Sequence, residues 1–255
     1  MKKLLALTVV LVMALVSVSA LAEATTLKVG INPEFPPFES LDDAGNVIGF
    51  DADFAAELSK DIGATLTFES TSFDSIVTGV QTGLYDLGIS GIYITEERLA
   101  NVDFSAPYLQ DGQSCIVKVS DTSITDNASL MGKKIGSQAG TTGIDAAEAS
   151  TDESNVYSYT KALDAVMDLQ GGKLDAVITD TPVAKLLLAQ LNDASLTISP
   201  TVTFDVEYYG VAIPKGNTDL KTKIDASIKR MTDDGTIAAL VEKWGITSGL
   251  VEAAQ

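Results

Sequence analysis

Residues able to bind a charged ligand concentrate in short runs that follow expected β-strands. The first run, residues 90–98 (Ser-Gly-Ile-Tyr-Ile-Thr-Glu-Glu-Arg), ends a strand, turns and enters a helix. This order places backbone N–H groups beside the guanidinium of Arg98, a two-pronged donor that suits a carboxylate. Arg98 could equally be a surface partner of a neighbouring acid such as Glu97 or Asp103.

A second run, residues 175–182, ends an expected strand and begins a helix near Pro182, a residue suited to the first helical turn. Asp180 could cap that helix, or it could be a free carboxylate that faces an ammonium group. The loop at residues 140–143, Gly-Thr-Thr-Gly, also joins a strand to a helix and presents amides and hydroxyls to an anion. Because this loop lacks the lysine of a nucleotide P-loop, a phosphate ligand is disfavoured.

Two further runs have ordinary structural explanations. Residues 32–39, Asn-Pro-Glu-Phe-Pro-Pro-Phe-Glu, follow a strand, and their prolines stiffen a loop whose phenylalanines can pack on the core. Residues 49–53, Gly-Phe-Asp-Ala-Asp, enter a helix, where Asp51 or Asp53 would suit the positive end of the helix dipole. Residue types alone therefore assign neither run to a ligand.

The composition excludes several kinds of active site. The 255 residues include no histidine, which removes Ser-His-Asp and Cys-His nucleophile systems and histidine-ligated metals. No catalytic residue, metal or cofactor is therefore expected. The single cysteine, Cys115, lies in an apolar stretch and is expected to be a small buried hydrophobe.

The N-terminus has the features of a secretory signal peptide. Lys2 and Lys3 precede an apolar run at residues 4–16, and small residues continue to Ala22, after which cleavage is expected. A membrane anchor is the alternative, but the apolar run is shorter than the ~20 residues that a spanning helix needs. Since no cysteine stands at the cut for lipid attachment, the mature chain is expected to be soluble and periplasmic.

The charge of the chain argues against nucleic-acid binding. The formal net charge is −18, and removal of two lysines with the signal peptide would leave −20. Such a surface repels phosphate backbones, although it says little about a pocket whose field is set locally.

Expected strands and helices alternate along the mature chain. Strands are expected at residues 27–31 and 208–213, for example, and helices at 53–62 and 73–82, where apolar residues recur at helical spacing. This alternation predicts an α/β fold with largely parallel central sheets. The pattern repeats after residue 113 without a flexible tether, which predicts two lobes joined by short strands.

Taken in order, these runs closely resemble the polar amino-acid binding proteins of ABC importers, the bacterial solute-binding protein family 3. The resemblance covers residues 27–246 and includes residues 101–108 (Asn-Val-Asp-Phe-Ser-Ala-Pro-Tyr) and 209–216 (Tyr-Gly-Val-Ala-Ile-Pro-Lys-Gly). It implies the type II periplasmic-binding-protein fold, an α/β architecture of two mainly parallel sheets flanked by helices. Lobe 1 would take residues 27–107 and 210–246, lobe 2 residues 113–204, and hinge strands would lie near 108–112 and 205–209.

The resemblance also implies a function. A monomeric extracytoplasmic subunit without enzymatic activity would capture a free α-amino acid by hinge closure and deliver it to the permease of an ABC importer. In the family, arginine at the Arg98 position holds the ligand α-carboxylate, and aspartate at the Asp180 position holds the α-ammonium. The implied ligand-binding set is Arg98, Asp180, Ser90, Gly91, Thr141, Thr142, Phe35, Phe73, Asn32, Tyr93 and Gln138.

Three of these positions depart from the family pattern. Tyr93 stands where Thr or Ser is usual, and its ring could fill part of the pocket. Asn32 replaces an aspartate that pairs with a cationic side chain in several members, and Gln138 replaces a lysine of glutamine-binding relatives. With no pocket charge evident beyond the expected arginine and aspartate, a neutral ligand is favoured, although Glu34 or Asp74 in the cleft would favour lysine or arginine.

Two other functions are compatible with the same fold. A periplasmic dehydratase acting on cyclic amino acids or prephenate-like acids would need an acid or base over the ligand, and Glu34 and Glu207 are the candidates. A soluble sensory domain that docks on a receptor is the other alternative, although such domains normally adjoin a transmembrane helix or a kinase. The binding subunit of an importer is favoured over both.

Overall fold

The computed structural model describes residues 25–246 and 249–251, so the predicted signal peptide lies outside the described residues. Within that part of the chain, no helix combines the length and apolar character needed to span a membrane. The strands are β1 (Thr25–Ile31), β2 (Ser40–Leu41), β3 (Val47–Ile48), β4 (Ala64–Ser70), β5 (Leu87–Gly88), β6 (Asp103–Phe104), β7 (Leu109–Lys118), β8 (Ile135–Gln138), β9 (Val156–Tyr159), β10 (Ala176–Asp180), β11 (Leu196–Ile198), β12 (Val206–Tyr209), β13 (Ala212–Ile213) and β14 (Gly249–Leu250).

The helices lie between these strands in the alternation that the sequence predicts. They are α1 (Phe50–Ile62), α2 (Ile76–Gln81), α3 (Glu96–Asn101), α4 (Thr142–Ser150), α5 (Ala162–Gln170), α6 (Thr181–Leu191), α7 (Thr218–Asp233) and α8 (Thr236–Lys243). In α1 the buried face is built from Phe54, Leu58 and Ile62 at steps of four residues. Gly63 ends this helix with φ 67°, the left-handed conformation that glycine adopts without strain.

A five-stranded sheet with the order β4-β1-β5-β13-β6 forms the centre of what we call the first lobe. Strands β4 and β5 run parallel to β1, while β13 is antiparallel to both β5 and β6. The parallel strands are joined through α1 and α2, as crossover connections require. The carboxyl end of β5 therefore opens directly into the run that begins at Ser90.

A second sheet, with the order β11-β7-β10-β8-β9, forms the centre of the second lobe. Strands β10, β8 and β9 are parallel, while β7 is antiparallel to β10 and β11. The fold is thus the α/β architecture of two mainly parallel sheets that the sequence predicts. Cys115 in β7 is fully buried, as expected, and burial raises the pKa of its thiol to about 12.

Two paired strands cross between the lobes. The first part of β7 pairs with β12 in antiparallel register, from Val206 opposite Gly112 to Tyr209 opposite Leu109. Strand β14 also pairs with β7 at this point. An apolar core cluster continues through Tyr108, Leu109 and Tyr209 into both lobes. The lobe and hinge boundaries given by the sequence stay a prediction, and the β7–β12 pair is the element that we propose as the hinge.

The main departures from the predicted elements arise where the chain changes partners. The strand expected at residues 208–213 is divided, because β12 pairs with β7 while β13 joins the first sheet. The helix expected at residues 73–82 begins with a 3₁₀ turn, Phe73–Ser75, before α2. Helix α1 begins three residues earlier than expected, at Phe50. Its start is held by the N–H of Asp51, which donates to the carbonyl of Phe38 at 2.9 Å.

Candidate ligand-binding site

The predicted site residues lie at the ends of strands that face one another across the two lobes. Ser90 and Gly91 follow β5 in the first lobe, while the 139–142 loop follows β8 and Asp180 ends β10 in the second. Ligands in open α/β sheets bind beyond such carboxyl ends. The fold therefore positions these side chains around a shared cleft.

Arg98 connects the first lobe to the second. Thr95 caps α3 by accepting the N–H of Arg98 at 3.2 Å, which fixes the start of this short helix. The guanidinium donates from Nη1 to the Tyr93 carbonyl at 2.7 Å and from Nη2 to the Gly140 carbonyl at 2.9 Å. It also lies over the ring of Phe73, 5.5 Å from the centroid. Asp103 pairs instead with Lys215 at 3.1 Å, so the alternative of an Arg98–Asp103 surface pair is wrong.

Burial and nearby carboxylates have opposite effects on the pKa of Arg98. The side chain is half-buried, and desolvation lowers the pKa of Arg98 from its ordinary value. The negative charges of Asp145, Glu207 and Asp180 act in the opposite direction. The guanidinium is therefore held in a field of acidic groups contributed mainly by the second lobe.

Asp180 is a buried carboxylate that does not cap the helix following it. Its Oδ1 accepts Nε2 of Gln113 at 2.8 Å, and its Oδ2 accepts the hydroxyl of Tyr209 at 2.7 Å. Helix α6 begins at Thr181 without a side-chain cap from Asp180. Burial raises the pKa of Asp180 to about 7, although the bonds from Tyr209 and Gln113 favour its ionised form.

Tyr93 and Tyr209 form a hydrogen-bonded chain that ends on Asp180. The hydroxyl of Tyr93 donates to that of Tyr209 at 2.7 Å, and the rings stack with centroids 4.1 Å apart. Both rings are buried. Burial raises the pKa of each phenol, so both remain protonated donors. Tyr93, which replaces the Ser or Thr usual in the family, thus links the first lobe to Asp180 of the second lobe through Tyr209 on the crossing strand β12.

A second acid, Glu207, lies beside Asp180. This half-buried side chain on β12 accepts the hydroxyl of Thr142 at 3.0 Å and Nε2 of Gln113 at 3.2 Å through the same oxygen. Burial raises the pKa of Glu207. Gln113 therefore donates to both carboxyl groups and joins them into one network.

The other end of the cleft holds two direct contacts between lobes. Gln138 donates from Nε2 to Oδ1 of Asn32 at 2.9 Å, and both side chains are buried. Lys161 pairs with Glu34 at 2.8 Å, with both side chains partly exposed. Asp74 accepts the hydroxyl of Ser72 within the first lobe. Glu34 and Asp74 are thus both engaged by protein groups.

Ser90 and Gly91 are held from inside the first lobe. The Ser90 hydroxyl donates to Oε1 of Glu39 at 2.6 Å and accepts the N–H of Asn32 at 3.0 Å. The Gly91 N–H donates to Oδ2 of Asp51 at 2.6 Å. Because this N–H points to a buried carboxyl group, it is not left to hold a ligand carboxylate.

Three predicted residues shape the cleft without a polar contact across it. The hydroxyl of Thr141 donates to the carbonyl of Gln138 at 2.7 Å, within its own loop. Phe35 is buried, with its ring 6.2 Å from that of Phe38. Phe73 is also buried and lies beneath Arg98. These phenylalanines contribute apolar surface to the first-lobe side.

Among the described residues, three buried side-chain oxygens have no hydrogen-bond partner, and two of them belong to Gln113 and Gln138, whose Nε2 atoms donate to Asp180 and Asn32. In both glutamines, Nε2 lies beside oxygens that accept hydrogen bonds. This fixes which end of each amide is the nitrogen and which is the unpaired oxygen. Leaving a buried acceptor unpaired costs about 1–3 kcal/mol of stability. A ligand that donates hydrogen bonds to these oxygens would remove that cost. In the same described part, no cluster of three or more His, Cys, Asp or Glu side chains could hold a metal ion.

Sequence reasoning missed Gln113 and Tyr209, and it considered Glu207 only as an acid for a dehydratase. All three lie on the crossing strands, where residue type gives no signal of a site. They meet Asp180 because β7 pairs with both β10 and β12. The register of these strands, with Gln113 opposite Asp180, was the missing information.

Comparison with known proteins identifies the class of this chain. The family model described as bacterial extracellular solute-binding proteins, family 3, matches residues 27–247. The L-cystine-binding protein TcyJ of Escherichia coli (strain K12) is 33% identical over 224 residues, which cover 87% of this chain and 83% of TcyJ. The chain therefore belongs to family 3 of the bacterial extracellular solute-binding proteins.

Solved structures agree with this assignment. An ancestral arginine-binding protein bound to arginine has a TM-score of 0.80 and 38% identity, over 86% of this chain and 97% of that one. The ancestral amino acid-binding protein AncCDT-1, a precursor of cyclohexadienyl dehydratase, has a TM-score of 0.77 and 35% identity, over 86% and 95%. Both are similar to this chain across both lobes.

The raised pKa of Asp180 predicts that ligand binding depends on pH. If Asp180 holds the ligand ammonium, as the family resemblance implies, it must be ionised in the complex. Affinity for an amino acid should then rise as the pH increases through about 7, with release of a proton. Without ligand, the folded protein keeps a proton that the unfolded chain has lost between about pH 4 and about 7, so this group's stabilising contribution falls across that window. Titration calorimetry in buffers of different ionisation enthalpy measures the proton release.

Asp180→Asn is expected to reduce the proton release and to weaken binding by at least about tenfold. Asp193→Asn, which changes a carboxylate bonded to Ser195 and Gln170 at the surface of the same lobe, serves as the control and should leave both unchanged. Equal proton release by the Asp180→Asn variant and the unmodified protein would place the ammonium site elsewhere.

Proposed function

We propose that the protein binds a free α-amino acid between its lobes and passes it to the membrane permease of an ABC importer. The observation that supports this most strongly is a pair of opposite charges in one cleft. The guanidinium of Arg98, from the first lobe, reaches the second lobe at Gly140. The buried carboxyl group of Asp180, from the second lobe, is joined to the first through Tyr209 and Tyr93.

The α-carboxylate is assigned to Arg98. A guanidinium has five N–H groups, and the carbonyls of Tyr93 and Gly140 use two of them. The remaining groups offer the paired geometry that a carboxylate accepts. Apolar contact with Phe73 below the guanidinium limits the directions from which a ligand can approach.

The α-ammonium is assigned to Asp180 with help from Gln113. Each oxygen of Asp180 accepts one protein donor and retains capacity for another. The unpaired Oε1 of Gln113, on the amide that donates to Asp180, is a further acceptor. An ammonium with three donors would satisfy this group of oxygens.

We propose a basic amino acid as the ligand, in place of the neutral one that the sequence favoured. Glu207 adds a second carboxyl group beside Asp180, so a zwitterion would leave the acidic cleft uncompensated. Gln138 donates from Nε2 to Asn32, but its Oε1 has no hydrogen-bond partner. A ligand donor could pair with this oxygen. A side chain ending in N–H groups meets both requirements.

Relatives give two ligands to compare directly. TcyJ is named for cystine and the ancestral protein for arginine. Arginine carries five side-chain N–H donors and no carboxylate at its far end, whereas cystine carries a second carboxylate. The acceptor-rich cleft therefore favours arginine as the first candidate.

The cleft also supports capture by closure. A zwitterion contacts Arg98 and Asp180 together only when the lobes meet, so a ligand binds the closed form better, and this difference in affinity drives closure. The closed form is further stabilised by Gln138 with Asn32 and by Lys161 with Glu34. A permease that recognises the closed shape would receive loaded protein.

We also propose that the mature protein is a periplasmic monomer, cleaved after Ala22, without catalytic activity. The acids considered for a dehydratase are both engaged: Glu34 by Lys161, and Glu207 by Thr142 and Gln113. An acid or base needs a free path to the ligand proton, which these contacts restrict. Incubation with prephenate or arogenate, followed by product absorbance, tests this directly, and product formation would overturn it.

Arg98→Ala is expected to abolish amino-acid binding while leaving the fold intact. The unmodified protein should first be screened by thermal shift against the twenty amino acids, cystine and ornithine, and arginine should give the largest stabilisation. Calorimetry with arginine then compares the two proteins, and the loss should exceed about a hundredfold, since a buried charge pair and its hydrogen bonds are removed.

Arg230→Ala is the matched control, because Arg230 forms exposed ion pairs with Asp61 and Asp234 on the outer face of the first lobe. It should bind arginine as the unmodified protein does. Unchanged affinity of the Arg98→Ala variant would defeat the assignment of the carboxylate.

Gly140→Ala is expected to hinder closure. A Cβ at Gly140 would lie 2.7 Å from the Cα of Asp74 in the first lobe, a backbone atom that cannot turn aside. With saturating arginine, the unmodified protein should show a smaller radius of gyration by solution scattering than the Gly140→Ala variant. Affinity should fall at least about tenfold.

Gly132→Ala separates backbone strain from the lobe contact. Both glycines have positive φ, 72° and 76°, but a Cβ at Gly132 meets no atom within 4 Å. Each substitution carries a similar conformational cost of about 1 kcal/mol. If the two variants compact equally with arginine, the Gly140–Asp74 contact does not limit closure.

A further inference from the structure

Two buried carboxyl groups lie in the first lobe behind the Ser90–Gly91 turn. Glu39 and Asp51 are both fully buried. They are brought together because the turn ending at Glu39 packs on the start of α1, where the N–H of Asp51 donates to the carbonyl of Phe38. Neither carboxyl group is among the residues assigned above to the ligand.

Each carboxyl group holds one residue of the turn. Oε1 of Glu39 accepts the hydroxyl of Ser90, and Oδ2 of Asp51 accepts the N–H of Gly91, both at 2.6 Å. Oδ1 of Asp51 also accepts the hydroxyl of Tyr108 at 3.3 Å. The pair therefore ties the turn to the residue that precedes the crossing strand β7.

The hydrogen-bond partners indicate where a proton must lie. Glu39 and Asp51 are fully buried and hold adjacent residues of the turn, so their carboxyl groups act on each other. Two neighbouring buried carboxylates repel each other, which favours a proton on one of them. Both oxygens of Asp51 already accept donors, whereas Oε2 of Glu39 has no partner among the described residues. A proton on Glu39 turns this unpaired acceptor into a donor.

The surroundings favour the same arrangement. Asp51 lies in the first turn of α1, where the helix dipole stabilises a negative charge. The other titratable groups that act on the pair are Tyr108 and Asp180, and the negative charge of Asp180 disfavours a second ionisation. Burial, followed by the charge of Asp51, raises the pKa of Glu39 well above its ordinary value. Burial raises the pKa of Asp51 to about 6, opposed by hydrogen bonds from Glu39, Gly91 and Tyr108.

We propose that Glu39 and Asp51 share one proton, carried by Glu39, and that this acid pair is a positioning device. It holds the Ser90–Gly91 turn, and the Ser90 hydroxyl in turn holds the cleft residue Asn32 by accepting its N–H. The shared proton leaves the pair with a single negative charge. A second charge would repel both its neighbour and the carboxylate of an approaching ligand. The positioning role rests on the proposed amino-acid site, whereas the shared proton does not.

Ligand-free unfolding across pH tests the shared proton. The folded protein would keep a proton on Glu39 that the unfolded chain loses above about pH 4, so this contribution to stability declines as pH rises toward the folded pKa. Glu39→Gln supplies a neutral donor without needing a proton. The unfolding equilibrium constant of the unmodified protein, divided by that of the Glu39→Gln variant, should therefore increase as the pH rises above about 5, by up to about tenfold per pH unit.

Asp51→Asn is the matched variant. Its amide cannot accept from both Gly91 and Tyr108 in the way that a carboxylate does, so it should be less stable than the Glu39→Gln variant throughout. A ratio that stays constant with pH would overturn the shared proton. An Asp51→Asn variant that is more stable than the Glu39→Gln variant, with a stability independent of pH, would overturn the location of the proton on Glu39. The infrared band of a buried protonated carboxyl group, lost only in the Glu39→Gln variant, provides a second measurement that does not depend on unfolding.

Calorimetry with arginine tests the positioning role. At neutral pH, Glu39→Gln should keep the affinity within about threefold, while Glu39→Ala should lower it at least about tenfold, because Ser90 loses its acceptor. Unchanged affinity in the Glu39→Ala variant would overturn positioning by Glu39. If the unmodified protein binds no amino acid at all, the proposed function fails, and the ligand-free comparison still decides the shared proton.

Discussion

Buried charge that must be partnered is the constraint on which this cleft depends. Asp180 is a buried carboxyl group that receives donors from Gln113 and Tyr209, yet burial still raises its pKa to about 7. Two protein donors therefore do not fully replace the water that an ionised carboxylate loses. In the proposed complex, an ammonium group would supply the missing donors and the opposite charge, so the bound ligand would stabilise the ionised form of Asp180.

The crossing strands connect the buried carboxyl group of Asp180 to both lobes through hydrogen bonds. Tyr209 on β12 connects Asp180 of the second lobe to Tyr93 of the first, and Gln113 on β7 connects the same carboxyl group to Glu207. The strands that join the lobes therefore carry the hydrogen bonds that surround the charged centre. A change of charge at Asp180 acts on groups from both lobes and from the connection between them.

Residue patterns anticipated the parts of the structure that depend on neighbours in sequence. The alternation of strands and helices predicted two sheets, and the strand-to-helix transitions located Arg98 and Asp180. Asp51 was correctly expected at a helix start, but its bond to Gly91, forty residues away, has no local signal. Gln113 and Tyr209 were missed for the same reason, since only strand register brings them to Asp180.

The distribution of acceptors explains why binding and closure would be one event. The unpaired amide oxygens belong to Gln113 and Gln138 of the second lobe, while the guanidinium donors belong to Arg98 of the first. A ligand with a carboxylate at one end and N–H groups elsewhere is complementary to this arrangement. Its carboxylate would accept from the first lobe's guanidinium, and its N–H groups would donate to the second lobe's amide oxygens. Neither lobe alone can satisfy both ends of such a molecule. In the closed form, the acceptors of the second lobe would form hydrogen bonds with the ligand that the open form lacks. The free energy of these bonds makes the ligand bind the closed form more tightly, and this difference in affinity favours closure.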